Sequence, residues 1–159
     1  MKSVILYTTR YGSAAEAAKC LRGEMTGNCT LVDLMTEKAP PLDSFDAVVL
    51  GGSIYVGKVQ KQLTEYMRFH LSELLSKKLG IYLCAGSPKP EDQEKELQSA
   101  FPAPLFSHAS AKGILGYAYN FEKMRFLDKL IMKRIKGDTV SVAEYNKEEI
   151  QRFAKLLAE

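Results

Sequence analysis

LYTTRYGSAAEA, residues 6–17, is the stretch on which the reading of the chain turns. It begins as the tail of an apolar run, SVILY (3–7), passes through two threonines, an arginine, a tyrosine, a glycine and a serine, and enters an alanine-rich segment. A continuous rather than alternating apolar run predicts a strand covered on both faces. Ala14, Ala17, Ala18, Leu21 and Met25 recur on one side at helical spacing, with Ser13 as the expected N-cap and Gly27 just past the end. A loop feeding a helix N-terminus presents backbone N–H groups and the positive end of the helix dipole, a combination that favours a phosphate. The hydroxyls of Thr8, Thr9 and Ser13 can add donors, and Gly12 permits close backbone approach. The nucleotide-triphosphate pattern GxxxxGK[ST] and the dinucleotide pattern GxGxxG are both missing. The loop alone is also compatible with an ordinary polar turn, so the other strand ends have to decide.

Working outward, apolar runs alternate with amphipathic stretches, the pattern of an α/β sheet. TLVDL (30–34), DAVVLGGS (46–53), LGIYLCAG (79–86) and ASAKGILGY (109–117) predict four further strands. Helices are expected from about Lys58 to Leu75, over 90–101, around Glu122 to Ile135 and from Lys147 to Ala158. Pro40 and Pro41 exclude an ordinary helix between the second and third strands. Five strands joined by crossover segments predict one domain over 1–159, an α/β, doubly wound, five-stranded parallel sheet of order 2-1-3-4-5. Ligands of such sheets lie beyond the carboxyl ends of the strands, beside the switch point between strands one and three.

Two of those ends carry suitable residues. The third strand runs into Ser53, Ile54, Tyr55, Val56 and Gly57, apolar side chains and a tyrosine between glycines, which suit a planar ring needing one stacking face and backbone hydrogen bonds at its edge. Tyr55 is the stacking candidate; its structural alternative is packing on the following helix. The fourth strand ends in Ala85, Gly86 and Ser87, small residues before a proline turn, which leave room beside a flat ring.

Length and a hydrophobic content of 46% sit in the globular range. Three cysteines without a C-x-x-C pair argue against a disulfide framework or a zinc site, and His70 and His108 are assigned to surface or packing roles. A net charge of +3 is too weak to imply nucleic acid. The first residues are too briefly apolar for a leader or a span, and the expected location is the cytoplasm. Charge is uneven, however: residues 121–136 carry six Lys/Arg against two Asp/Glu among regularly spaced apolar residues. Such a helix can simply pack on the sheet, or it can touch an anionic membrane from its inner face. A phosphoacceptor signalling domain with the same strand order needs an aspartate at the end of strand three, where this chain has Gly51-Gly52-Ser53.

The pieces TRYGSA (9–14), GGSIYVGKV (51–59) and the strand ends around them resemble the flavodoxin family over essentially the whole chain. The resemblance implies FMN as cofactor, its phosphate held by Thr9, Arg10, Tyr11, Gly12, Ser13 and Ala14, and its ring held by Ser53 to Gly57 and Ala85 to Ser87. Thr9 and Gly12 match the hydroxyl-rich loop of that family, whereas Tyr11 and Ala14 each replace a hydroxyl. TRYG, GGSIYVGKV and residues 113–139 are more closely similar to the flavodoxin-type, quinone-dependent protoporphyrinogen oxidases. The implied function is electron transfer through a non-covalent flavin to a redox partner protein or a quinone. The alternatives are a porphyrinogen oxidase proper, or a binding module that has lost the flavin.

Overall fold

The computed structural model describes residues 1–55, 57–85, 89–119 and 142–159. Its strands are β1 (Lys2–Tyr7), β2 (Asn28–Asp33), β3 (Ala47–Ser53), β4 (Lys78–Cys84), β5 (Ala111–Tyr119) and β6 (Val142–Tyr145). The helices are α1 (Ser13–Glu24), α2 (Lys61–Phe69), α3 (Leu71–Leu75), α4 (Pro90–Ala100), α5 (Ala103–His108) and α6 (Lys147–Ala158). The strand order is β2-β1-β3-β4-β5-β6, and the first five strands are parallel, as the sequence pattern predicts. The sixth, four residues long, was not expected: it pairs antiparallel with β5, setting Gly116 opposite Tyr145. Too short to show a period of two, it carries little signal in sequence. The basic helix expected over 122–135 lies outside the described residues.

Alternation along the buried strands feeds two cores. Val4, Leu6, Val48, Leu50, Ile81 and Leu83 face one side, where Leu63, Met67, Leu74, Leu97 and Leu105 of the helices α2 to α5 cover them. Ile5, Val49, Tyr82 and Cys84 face the other, under Ala14, Ala17 and Leu21 of α1 and Phe153 and Leu157 of α6. Both faces are dry, which is why the strands read as unbroken apolar runs. The helix expected over 58–75 is two: the backbone leaves helical geometry at His70 (φ −112°, ψ 21°), whose ring stacks on Tyr66 at 4.3 Å and meets the Glu73 carboxylate at 3.1 Å. The prolines 40 and 41 leave only a three-residue 3-10 turn, Leu42–Ser44, before β3.

Tyr82 is the largest fully buried side chain, and β3 is shaped around it. A Cβ on Gly51 would stand 2.0 Å from the Tyr82 Cζ, so glycine there is a packing requirement. The Tyr82 hydroxyl donates to the Ala14 carbonyl at 2.8 Å, and its ring meets Phe153 edge-on. Gly51→Ala should therefore destabilise the fold by about 3 kcal/mol, the scale of core overpacking, read as a lowered denaturation midpoint. Burial, and then the neighbouring Cys84 thiol, push the Tyr82 phenol well above its ordinary value of 10.0. The unfolded chain loses this proton first, so stability is complete below pH 10 and falls above it, by at most about 1.4 kcal/mol per pH unit for one group. Tyr82→Phe should flatten part of that alkaline decline in a pH series of urea melts, while costing about 1 kcal/mol at neutral pH.

Candidate functional site

Parallel pairing levels the ends of three strands. Tyr7 lies opposite Gly51 and Ser53 opposite Cys84, so the segments after β1, β3 and β4 leave the sheet along one edge. Thr8 N–H donates to the Gly51 carbonyl at 3.0 Å and Ile54 N–H to the Cys84 carbonyl at 3.0 Å, extending the ladder one residue past each strand.

The loop after β1 is closed from within. Thr9 Oγ1 accepts from Gly12 N–H at 2.9 Å, and the Gly12 carbonyl accepts from Glu16 N–H at 3.0 Å to open α1. Gly12 itself is the N-cap, at φ +95°, and no side chain caps the helix. This corrects the assignment of Ser13: it is the first helical residue, buried, rather than the cap. A helix of twelve residues thus begins with its leading N–H groups unanswered by any side chain, and a Cβ built on Gly12 would meet nothing within 4 Å. Ala14 is fully buried against the sheet and, like Gly12 and Ser13, is not among the residues lining the strand-end cleft. The end of the helix is held from below: Tyr145 Oη and Cys84 Sγ donate to the Ser13 carbonyl at 3.3 and 3.5 Å, alongside the Tyr82–Ala14 bond. Burial pushes the Cys84 thiol up to about 12, which keeps it a neutral donor. Thr8 is fully buried and its hydroxyl donates to Gln60 Oε1 at 2.9 Å, so it does not add the phosphate donor expected of it.

The segment after β3 turns back on itself. Tyr55 and Lys58 exchange backbone hydrogen bonds of 2.9 and 3.2 Å, with Gly57 between them at φ +77° and open space around its Cβ position. Tyr55 and Tyr11 stand edge to face with ring centroids 6.1 Å apart. The Arg10 guanidinium lies 3.9 Å from the Tyr55 centroid while its Nε donates to Tyr11 Oη at 3.0 Å. Thr9, Arg10, Tyr11 and Tyr55 are thereby brought to one cleft of about 460 Å³, whose other walls are Met35, Lys58, Val59, Gln60, Lys61 and Gln62. Ser53 is buried and bonded to Gln60, and Ile54 is half-buried and packs on the core; neither lines the cleft. Ala85 is buried, its N–H bonded to the Gly116 carbonyl. Val56, Gly86 and Ser87 lie outside the described residues.

The described lining residues include three cations, Arg10, Lys58 and Lys61, the last paired with Glu65 outside the cleft, and no carboxylate. Lys58, Gln60 and Lys61 were not singled out from sequence; Lys58 lies inside the GGSIYVGKV motif and Gln60 directly follows it, which was the available signal. An uncapped helix end, cationic walls and a tyrosine at the rim fit an anionic ester attached to a flat ring. A wider groove of about 810 Å³ on the outer side of α2, between Pro40, Pro41 and Tyr66, is less suited. Tyr66 is stacked by His70, the Arg68 guanidinium stands over Phe69, and Glu65 and Glu73 pair with Lys61 and His70.

Comparison with known proteins follows the geometry. The chain is 27% identical over 172 residues to the protoporphyrinogen IX dehydrogenase [quinone] of Escherichia coli strain K12, across 99% of this chain and 95% of that one. Among solved structures it is similar to oxidised flavodoxin 1 from Bacillus cereus (TM-score 0.56, 14% identity, 99% and 97% of the two chains). It is also similar to a short-chain flavodoxin associated with a bacterial microcompartment (TM-score 0.64, 13% identity, 99% and 97%). These likenesses concern the fold. The pattern that defines the flavodoxin domain matches residues 4–146, nearly the whole sheet, and the chain therefore belongs to the flavodoxin domain family.

Proposed function

We propose that this protein binds FMN non-covalently at the strand-end cleft and works as a single-domain electron-transfer protein. The observation that carries the reading is the start of α1, where Gly12 caps twelve helical residues without a side chain and a Cβ would meet open space, next to a loop whose Arg10 lines a cleft that also holds Lys58 and Lys61. An ester dianion answers those N–H groups and the helix dipole together. When bound, the flavin supplies the one- and two-electron chemistry, and the polypeptide has to hold and tune it.

In this reading Gly12, Ser13 and Ala14 offer backbone N–H groups to the phosphate, Thr9 keeps the loop closed, and Arg10 supplies charge. Tyr55 lends its face to the ring, which Arg10 yields on binding; Tyr11 closes the edge. The turn from Tyr55 to Lys58, with Gly57 free to turn its peptide, and the ends at Ser53, Ile54 and Ala85 to Ser87 approach the ring through main chain. With no carboxylate among the described lining residues, negative charge gained on reduction is less opposed than in an acidic site. The acceptor is a quinone or a redox partner protein, and the relative named as a quinone-linked dehydrogenase favours the quinone. The alternative of a porphyrinogen oxidase proper rests on that same relative. We place the protein in the cytoplasm, with contact of the basic stretch 122–135 to the inner face of a membrane as the alternative to plain packing of that stretch on the sheet. No helix of the described residues is long and apolar enough to cross one.

Titration with FMN should give a saturable complex with perturbed flavin absorption bands; material that takes up no FMN at high excess would refute the assignment. Gly12→Val, a side chain forced into left-handed backbone and into the open space, should weaken FMN binding at least tenfold while leaving the thermal midpoint within a few degrees. Tyr55→Ala should cost roughly 1 kcal/mol of FMN affinity, about fivefold, with little effect on stability. Gly57→Ala should move the midpoint potential of the bound flavin in a redox titration.

A further inference from the structure

We propose that Gln60 is the positioning residue of the cleft: its carboxamide ties the end of β1 to the end of β3 and so sets where the 54–58 turn stands relative to the loop before α1. No motif points to this residue, and it precedes α2 in an unremarkable VQKQ. Its side chain nevertheless has every hydrogen-bonding position answered. Oε1 accepts from Thr8 Oγ1 at 2.9 Å and from Ser53 N–H at 3.4 Å. Nε2 donates to the Ser53 carbonyl at 3.1 Å and to Ser53 Oγ at 3.2 Å. Its backbone carbonyl also accepts from Leu63 and Thr64 at the start of α2.

Three facts make this a strut rather than an incidental cluster. Thr8 is fully buried and Ser53 is 6% exposed, so neither can exchange the amide for bulk water without rearrangement. Ser53 ends β3 and Thr8 is the first residue after β1, so the amide joins the two points at which the chain leaves the sheet for the loops of the cleft. Gln60 itself lines that cleft, and it closes a seven-residue excursion from Ser53 whose inner turn carries the Tyr55–Lys58 pair and whose entry is held by Ile54 N–H on the Cys84 carbonyl. Without the carboxamide the turn keeps those hydrogen bonds and loses the side-chain tie that joins it to the ends of β1 and β3. A ligand that touches only the loop before α1 is then held as before, and one that must reach both loops is not. Preorganisation of two separate contacts is what the strut supplies.

The effect on ligand binding rests on the flavin reading; the strut itself does not. The test compares wild type, Gln60→Leu and Gln60→Glu. Without flavin, Gln60→Leu should raise amide hydrogen exchange at 54–58 at least tenfold while the amides of Val4 to Leu6 and Val48 to Leu50 exchange as in wild type. It should also weaken FMN about tenfold yet change the affinity for inorganic phosphate less than twofold, a split that a general loss of folding does not produce. Gln60→Glu has the size of glutamine but donates from that position only when protonated, so its turn should be protected near pH 5 and loosened near pH 8. If Gln60→Leu does not fold, that pH contrast decides. Unchanged exchange at 54–58 in Gln60→Leu, an equal loss of FMN and phosphate affinity, or a Gln60→Glu variant indifferent to pH each overturns the proposal. A wild type that binds no FMN overturns the flavin reading instead and leaves the exchange measurements to judge the strut.

Discussion

The Tyr82 hydroxyl on the Ala14 carbonyl is the contact on which the candidate site depends. It joins the centre of the sheet to the first turn of α1, and the geometry around it is built to let it form. Gly51 vacates the space that the ring fills, and Phe153 closes the ring from the far side. Because the ring cannot move, the helix end cannot move either, and N–H groups aimed at a ligand are useful only if their direction is fixed before the ligand arrives. Tyr145 and Cys84 add two further donors to the neighbouring Ser13 carbonyl. The Ser13 and Ala14 carbonyls of the first turn are thus held from within the protein.

Charge divides the surface in a way the net value hides. The charged residues among the described lining of the strand-end cleft are Arg10, Lys58 and Lys61, whereas the groove behind α2 holds Glu37, Glu65 and Glu73 against Lys38. Of these two concavities, the strand-end cleft is the one that favours an anion. The larger cavity is not the better site, since volume says nothing about unanswered donors. Its aromatic and acidic groups already have partners within the protein, while the helix under Gly12 has no side-chain cap.

Much of this was legible in the residues. The polar interruption after SVILY marked the loop, and the GGS that ends β3 marked the opposite rim, because both are local breaks in apolar runs. Assigning the cap to Ser13 failed by one position, for a reason that hydroxyl chemistry alone hides: Gly12 already occupies the left-handed geometry that ends the loop, which places Ser13 inside the helix and buries it. Thr8 was misjudged in the same way, its hydroxyl being engaged by a side chain 52 residues away.

Sequence alone determined the parallel core, its strand order and the edge on which the cleft opens, because periodicity and turn residues are properties of neighbours along the chain. Tertiary structure alone decided which donors remain for a ligand. Gln60 meets Thr8, Tyr82 meets Ala14 across 68 residues and Tyr145 meets Ser13 across 132, and contacts at such separations leave no periodic trace. The added edge strand β6, which delivers Tyr145 to the helix start, belongs with them: four residues hold their place through a partner strand, not through a pattern of their own.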